Sequence, residues 1–286
     1  MHATELVIVI AVVSAAVAWI ASLVSGDTSW IDRLWSILPE SYVWVYAASA
    51  QWRNAPLDAA AVLTTLWGVR LTYNLARKGG YAGHEDYRWA VLRSSMNAWR
   101  FQLFNLFFIV IYQSLLLVLI ALPARTIAEH PTTSFGPLDA ALSVLFLAAL
   151  IGETIADQQQ WRFQQWKRRE VAAGRSPEPR FLQTGLFRYA RHPNYFFEIA
   201  QWWLVFLFGA VAAGSLAQPT VLGAVLLSAL FVGSTSFTER ITRSRYPEYV
   251  RYQAATSAIV PWFAGSRELV MPYPPDPASQ AGPALS

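Results

Sequence analysis

Between Gly185 and Glu198 the chain reads GLFRYARHPNYFFE, which brings Arg188, Arg191, His192, Asn194, Tyr195 and Glu198 into one short stretch. A guanidinium fork matches phosphate oxygens bidentately, and a histidine or carboxylate can hold or transfer a proton. Asn194, Glu198 and Gln201 follow at i, i+4 and i+7, a polar stripe on an otherwise apolar, Trp-rich helix. Such a stripe must face protein or a water-filled cavity, not lipid. It serves either a ligand or hydrogen bonding between helices. Arg188 and Arg191 read equally as cationic anchors at a membrane surface, and His192 as a backbone partner. His192-Pro193 bars a regular helix at that point, because the residue before proline is pushed toward extended geometry.

Three other patches have the residue types for chemistry. In GETIADQQQWRFQQWKRRE, Glu153 and Asp157 lie four residues apart on one helical face, with Arg162 and Gln165 beyond them. The alternative there is a helix end whose carboxylates pair with headgroup-level arginines. After the last apolar run comes TERITRSRYPEYVRYQAATSAIVPWF, where Tyr246, Tyr249 and Tyr252 recur every three residues among Arg243, Arg245 and Arg251. An interfacial amphipathic helix explains this pattern, as does a surface that stacks a ring and meets a phosphate. In WGVRLTYNLARKGGYAGHEDYR, Arg70, Tyr73 and Arg77 share a helical side. Tyr73 has the chemistry of a proton donor, although a tyrosine at this depth is also an ordinary belt residue.

The elements that must position these residues are membrane helices. The chain has 286 residues, 55% hydrophobic and 14% charged, with a mean hydropathy of +0.31; soluble domains carry about a quarter charged residues. Against the ~20 residues needed to cross the hydrocarbon, seven spans are predicted. They run over about Leu6–Val24, Ile37–Gln51, Leu57–Leu75, Phe101–Leu122, Pro137–Ala156, Tyr195–Ala213 and Pro219–Phe237. The second is short and carries Pro39 and Glu40. No Lys or Arg precedes the first, so it reads as a span, not a cleaved signal.

The expected architecture is therefore an all-α integral membrane protein, one polytopic domain over 1–268, with cytoplasmic amphipathic helices and a Pro- and Ser-rich disordered tail over 269–286. An outside N-terminus and a cytoplasmic C-terminus place every Lys and Arg inside except Arg53, Arg125 and the intramembrane Arg70. The net charge of +4 flanks the spans instead of forming a nucleic-acid surface. The absence of Cys excludes disulfides, thiolate ligands and a cysteine nucleophile. His2, His84, His130 and His192 show no metal-ligand spacing. No dinucleotide fingerprint, Walker loop, HExxH or GxSxG is present. A nucleotide would have to bind between helices.

GLFRYARHPNYFFE with its following WW, DQQQWRFQ before it and YxxYxxxTSAIVP after it resemble the steroid 5-alpha-reductase superfamily. WSILP at Trp35–Pro39, WGVRL at Trp67–Leu71 and EDYR at Glu85–Arg88 fit its branch known as domain of unknown function 1295. The likeness covers about Ser29 to Phe263. The RHPNYxxE element is shared with the isoprenylcysteine carboxyl methyltransferases.

The resemblance implies an NADPH-dependent reductase of a carbon–carbon double bond conjugated to a carbonyl, acting on a small lipophilic substrate of steroid or isoprenoid type. The cofactor half would be about 137–263, entered from the cytoplasm. The resemblance assigns Asp157, Asn194 and Glu198 to cofactor contacts. Arg162, Arg188, Arg191, His192, Tyr195, Arg243, Tyr246, Tyr249 and Tyr252 are further candidates. The family's catalytic Glu–Tyr pair has Glu40 and Tyr73 as its nearest counterparts here. The sequence departs from the reductases at Glu153, where they carry asparagine. Two rivals stand beside this reading: a methyltransferase using S-adenosylmethionine, and a non-enzymatic membrane protein whose polar stripes bond helices.

Overall fold

The computed structural model describes residues 2–131 and 134–262, and among them every regular element is helical. The expected tail at 269–286 lies outside the described residues. In chain order the helices are α1 (Ala3–Ser25), α2 (Trp30–Trp35), α3 (Leu38–Ser49), α4 (Ala55–Arg77) and α5 (Tyr87–Ser94). They continue with α6 (Ala98–Phe104), a π-helical segment (Asn105–Tyr112) leading into α7 (Gln113–Ala128), then α8 (Pro137–Ala172), α9 (Pro193–Ala212), α10 (Val221–Arg245) and α11 (Tyr249–Ala255). Two compact units result. The first takes Met1–Ala148 with Ile199–Ala229, the second Ala149–Glu198 with Leu230–Ser286.

Among the described residues five helices are long and apolar enough to cross a membrane: Ala3–Ser25, Ala98–Ala128, Pro137–Ala172, Pro193–Ala212 and Val221–Arg245. The other two expected spans are also helices but fall short, for different reasons. α3 has 12 residues, about 18 Å at 1.5 Å per residue, against a hydrocarbon core of about 30 Å. α4 has 23 residues but carries Asp58, Arg70 and Arg77, which dilute its hydropathy.

Contacts within the first unit fix the direction of both. Ser36 Oγ meets Thr72 Oγ1 at 2.7 Å, and the Trp44 indole donates to Thr65 Oγ1 at 2.8 Å. α3 and α4 are therefore antiparallel neighbours. At one end of this pair the Asn54 amide, which also caps α4, donates to the Ile127 carbonyl at the end of α7 at 2.9 Å. At the other end, the backbone N–H and hydroxyl of Thr28 donate to Glu85 Oε1 at 2.9 and 2.7 Å. Arg93 pairs with the same carboxylate at 2.6 Å. The Trp89 indole donates to Asp32 at 2.9 Å, and Arg33 Nε to the Gly80 carbonyl at 2.6 Å. Burial, then the neighbouring charge of Asp86, pushes the Asp32 carboxyl above its ordinary range. The EDYR element thus closes the loop after α4 onto the loop after α1.

One close approach sets the α3–α4 distance. A Cβ on Gly68 would stand 2.3 Å from Glu40 Oε2 and 2.6 Å from the Ser36 carbonyl oxygen. The backbone oxygen cannot swing away. Gly68→Ala is expected to destabilise the protein by roughly 1–3 kcal/mol through overpacking, seen as a lower midpoint in SDS titration of the purified protein. An unchanged midpoint would mean that α3 and α4 can part without loss.

Candidate functional site

The second unit assembles the GLFRYARHPNYFFE stretch against the ends of α8 and α10. α9 begins at Pro193, the position where proline's missing N–H costs a helix nothing. Before it, Gly185 turns the chain at φ +64°, and a Cβ there would stand 2.4 Å from Gln159 Nε2. Gln159 is held in place by accepting the Leu186 N–H at 2.9 Å. Lower on the same helix, Gly152 lets α8 and α9 approach, since a Cβ there would be 2.5 Å from the Phe197 ring. That crossing sets the carboxylate face of α8 opposite the polar stripe of α9.

Glu153, Asp157 and Glu198 are all buried in consequence. The Asn194 amide lies 3.5 Å from Asp157 Oδ1, a long hydrogen bond. Three buried carboxyls with the Asn194 amide give these two crossing helices a polar interior. Arg188 is half-buried nearby in sequence and makes no hydrogen bond or ion pair with any described residue. Arg162 is exposed on α8.

Arg191 has a different position. Its guanidinium pairs with Glu239 through Nε to Oε1 at 2.6 Å and Nη2 to Oε2 at 3.0 Å. Nη1 donates to the carbonyls of Gln253, at 3.0 Å, and Thr256. Glu239 also accepts from Gln253 Nε2 at 2.7 Å and the Tyr249 hydroxyl at 3.3 Å, and it contacts His192 Nε2 at 3.1 Å. Burial acts to lower the pKa of Arg191, but the Glu239 carboxylate outweighs it and raises the pKa above its ordinary value. The backbone completes the clamp. Arg191 N–H donates to the Ser257 carbonyl at 2.9 Å, His192 N–H to Ala258 at 3.0 Å, and Trp262 N–H to Tyr189 at 2.9 Å. The TSAIVP segment is thus tied along the RHPN segment.

The tail tyrosines surround Phe181 and are not one stacking face. Tyr246 accepts from Lys167 Nζ at 2.9 Å, with that ammonium 4.6 Å from its ring centroid. Tyr249 meets Phe181 edge-on at 5.0 Å, and Tyr252 stacks on it at 5.6 Å and donates to the Phe187 carbonyl. Burial, then the charge of Glu239, pushes the Tyr249 phenol well above its usual range. Burial does the same to Tyr252, so both remain hydrogen-bond donors. Arg243 is exposed at the end of α10. His192 stacks on Tyr195 at 5.2 Å, and Tyr195 meets Phe231 edge-on at 4.6 Å.

The two catalytic candidates lie in the first unit, and it does not bring them together. Glu40 packs on Gly68, with Oε2 buried and without a hydrogen-bond partner. Tyr73 lies five residues beyond Gly68, about 140° round the helix. It is 64% exposed, with the Arg77 guanidinium 5.5 Å from its ring centroid. Among the described residues no group of three His, Cys, Asp or Glu could hold a metal ion.

Residues 18–256 match the family described as "Protein of unknown function (DUF1295)". The chain belongs to this family. The DUF1295 match takes in every candidate residue of both units. A curated relative, an uncharacterized protein of Schizosaccharomyces pombe, is 37% identical over 266 residues, covering 87% of this chain and 77% of the relative. No solved structure matches the chain.

The sequence patterns give no role to Gln159, Lys167, Phe181, Glu239 or Gln253. Each acts through a partner distant in the chain, so no local spacing marks it.

Proposed function

We propose that this DUF1295 protein is a membrane-embedded, NADPH-dependent reductase of the steroid 5-alpha-reductase superfamily, saturating a double bond conjugated to a carbonyl in a lipid-like substrate. The observation that carries the reading is the pair of buried carboxyls Asp157 and Glu198 with the half-buried Asn194 amide, in the same unit as a half-buried Arg188 that no described residue neutralises. An uncommitted guanidinium fits a cofactor phosphate. A carboxylate with an adjacent amide offers the acceptor and donor that a carboxamide needs. A reduced nicotinamide dinucleotide, when bound, supplies the hydride. This chain's residues bind it, orient it and keep water away. The reading keeps Glu40 as a candidate of the first unit, with its carboxyl inside that unit's helix group. It leaves Tyr73, on the outer face, without a part in polarising the carbonyl.

A second reading has one observation in its favour. The Arg191–Glu239 pair leaves fewer free cations for a dinucleotide than the sequence offers, which suits S-adenosylmethionine and methyl transfer. Titration of the detergent-purified protein with NADPH, NADH and S-adenosylmethionine, followed by thermal unfolding, separates the two. The reductase reading expects stabilisation by NADPH. Stabilisation by S-adenosylmethionine alone would replace it, and stabilisation by none would sink both.

The topology that accompanies this reading has seven spans, an outside N-terminus and a cytoplasmic second unit. The chain contains no cysteine, so single cysteines report without background. Ser176→Cys, in the exposed loop after α8, is expected to react with an impermeant maleimide only after the membrane is opened. Ser215→Cys, between α9 and α10, should react in intact cells. The reverse pattern would invert the protein and remove a cytoplasmic cofactor from the proposal.

A further inference from the structure

The first unit contains buried polar side chains that its own fold leaves unpaired. Trp67 on α4 and Trp202 on α9 are 0% and 2% exposed and pack edge to face, with ring centroids 4.9 Å apart. Neither indole N–H has an acceptor among the described residues. Tyr42 and Tyr46, four residues apart on α3, are also buried with unpaired hydroxyls. Glu40 Oε2 is buried without a partner against Gly68, the residue after Trp67.

Elsewhere in this unit the chain pairs such groups readily. The Trp44 indole reaches Thr65, and the Trp89 indole reaches Asp32. A buried donor left without an acceptor is destabilising, and replacing it by an apolar group of the same shape removes that penalty. Phenylalanine at 67 and 202 would keep the aromatic packing without the orphan N–H. An indole is a donor only, so a partner for these two must bring an acceptor. Backbone carbonyls within helices already accept from the helix ladder, and no described side chain accepts from either indole. An anion would lose its hydration for two neutral donors, whereas a carbonyl or ether oxygen on a lipophilic molecule would not.

We propose that the Trp67–Trp202 pair is a docking point for the carbonyl-type oxygen of a neutral, lipid-soluble ligand, held by indole N–H donation within the first unit. The site belongs to these residues whether or not a nucleotide binds the second unit, so it can fail or stand separately from the reductase reading.

The test uses the full chain in lipid nanodiscs, labelled with 5-fluorotryptophan, and two probes of equal carbon number, 6-undecanone and undecane. The fluorine resonances of residues 67 and 202 are identified by their loss in Trp67→Phe and Trp202→Phe. The ketone is expected to shift at least one of these resonances saturably, and undecane to leave both in place. Each Phe variant should bind the ketone about tenfold more weakly, the worth of one hydrogen bond, with no change toward undecane. Equal shifts by both probes would reduce the site to an apolar crevice, and no shift by either would mean that water satisfies the indoles. Each of those results overturns the proposal. Should a Phe variant fail to fold, the wild-type protein decides: 6-undecanone must raise its unfolding temperature more than equimolar undecane does.

Discussion

Arg191→Met is expected to cost the protein about 3–5 kcal/mol of stability, the penalty typical of removing one partner from a buried ion pair. The Arg191 and Glu239 side chains are only 10% and 8% exposed, so neither can turn to water when the other is lost. The loss should extend further than the pair. Glu239 also gathers His192, Tyr249 and Gln253, and Arg191 reaches the carbonyls of Gln253 and Thr256. With the guanidinium gone, the segment from Ser257 to Trp262 keeps its backbone bonds to Tyr189, Arg191 and His192 and the Ser257 hydroxyl's bond to the Tyr189 carbonyl. Limited proteolysis should then cut after Ala255 before any other described site. Glu239→Met should be equally harmful. The double variant Arg191→Met with Glu239→Met should be closer to wild type than either single, because it leaves no uncompensated charge. SDS titration of the four proteins gives the cycle. Additive losses would show that the two residues act separately and that the clamp is not the reason for their burial.

Arg188→Ala should do the opposite: little to stability and much to ligand binding. The side chain forms no bond with any described residue, so its removal breaks none. If it meets a phosphate of NADPH, a charge-assisted hydrogen bond of about 1.5–3 kcal/mol is lost, roughly a 10- to 100-fold weaker affinity. Arg188→Lys should recover part of this, since the charge stays and the bidentate geometry does not. Asn194→Ala and Glu198→Ala are expected to abolish the thermal shift with NADPH. Asn194→Ala leaves Asp157 short of a donor, so a modest stability loss is expected there too. The contrast between the two neighbouring arginines is the most direct check on the reading. An Arg188→Ala protein with unaltered NADPH affinity would remove the phosphate role and leave the buried acids of α8 and α9 as structural groups. Isothermal titration in detergent measures this without requiring a known substrate.

Local patterns carried much of this architecture. Apolar windows of the right length located α1, the helix over Ala98–Ala128, α8, α9 and α10. His192-Pro193 marked where α9 starts. The four-residue spacings of Glu153 with Asp157 and of Asn194 with Glu198 placed each pair on one face, and all four belong to the second unit, three of them fully buried. These features depend on helical period and proline sterics, which act within a few residues and are written in the order of the chain.

The choice of partner was not written there. Nothing in the spacing of the arginines says that Arg191 meets Glu239, 48 residues away, while Arg188 meets no described residue. The regular recurrence of Tyr246, Tyr249 and Tyr252 suggested one stacking surface, yet each ring takes a different polar partner around Phe181. Glu40 and Tyr73 both looked available to one substrate, and the Gly68 contact turns one inward while the helix turns the other out. Trp67 and Trp202 became a pair only because α4 and α9 pack together. Period and propensity set what each helix is. Which buried charge is neutralised, and which donor stays unpaired, depends on the approach of segments far apart in the chain, and only the tertiary packing decides that.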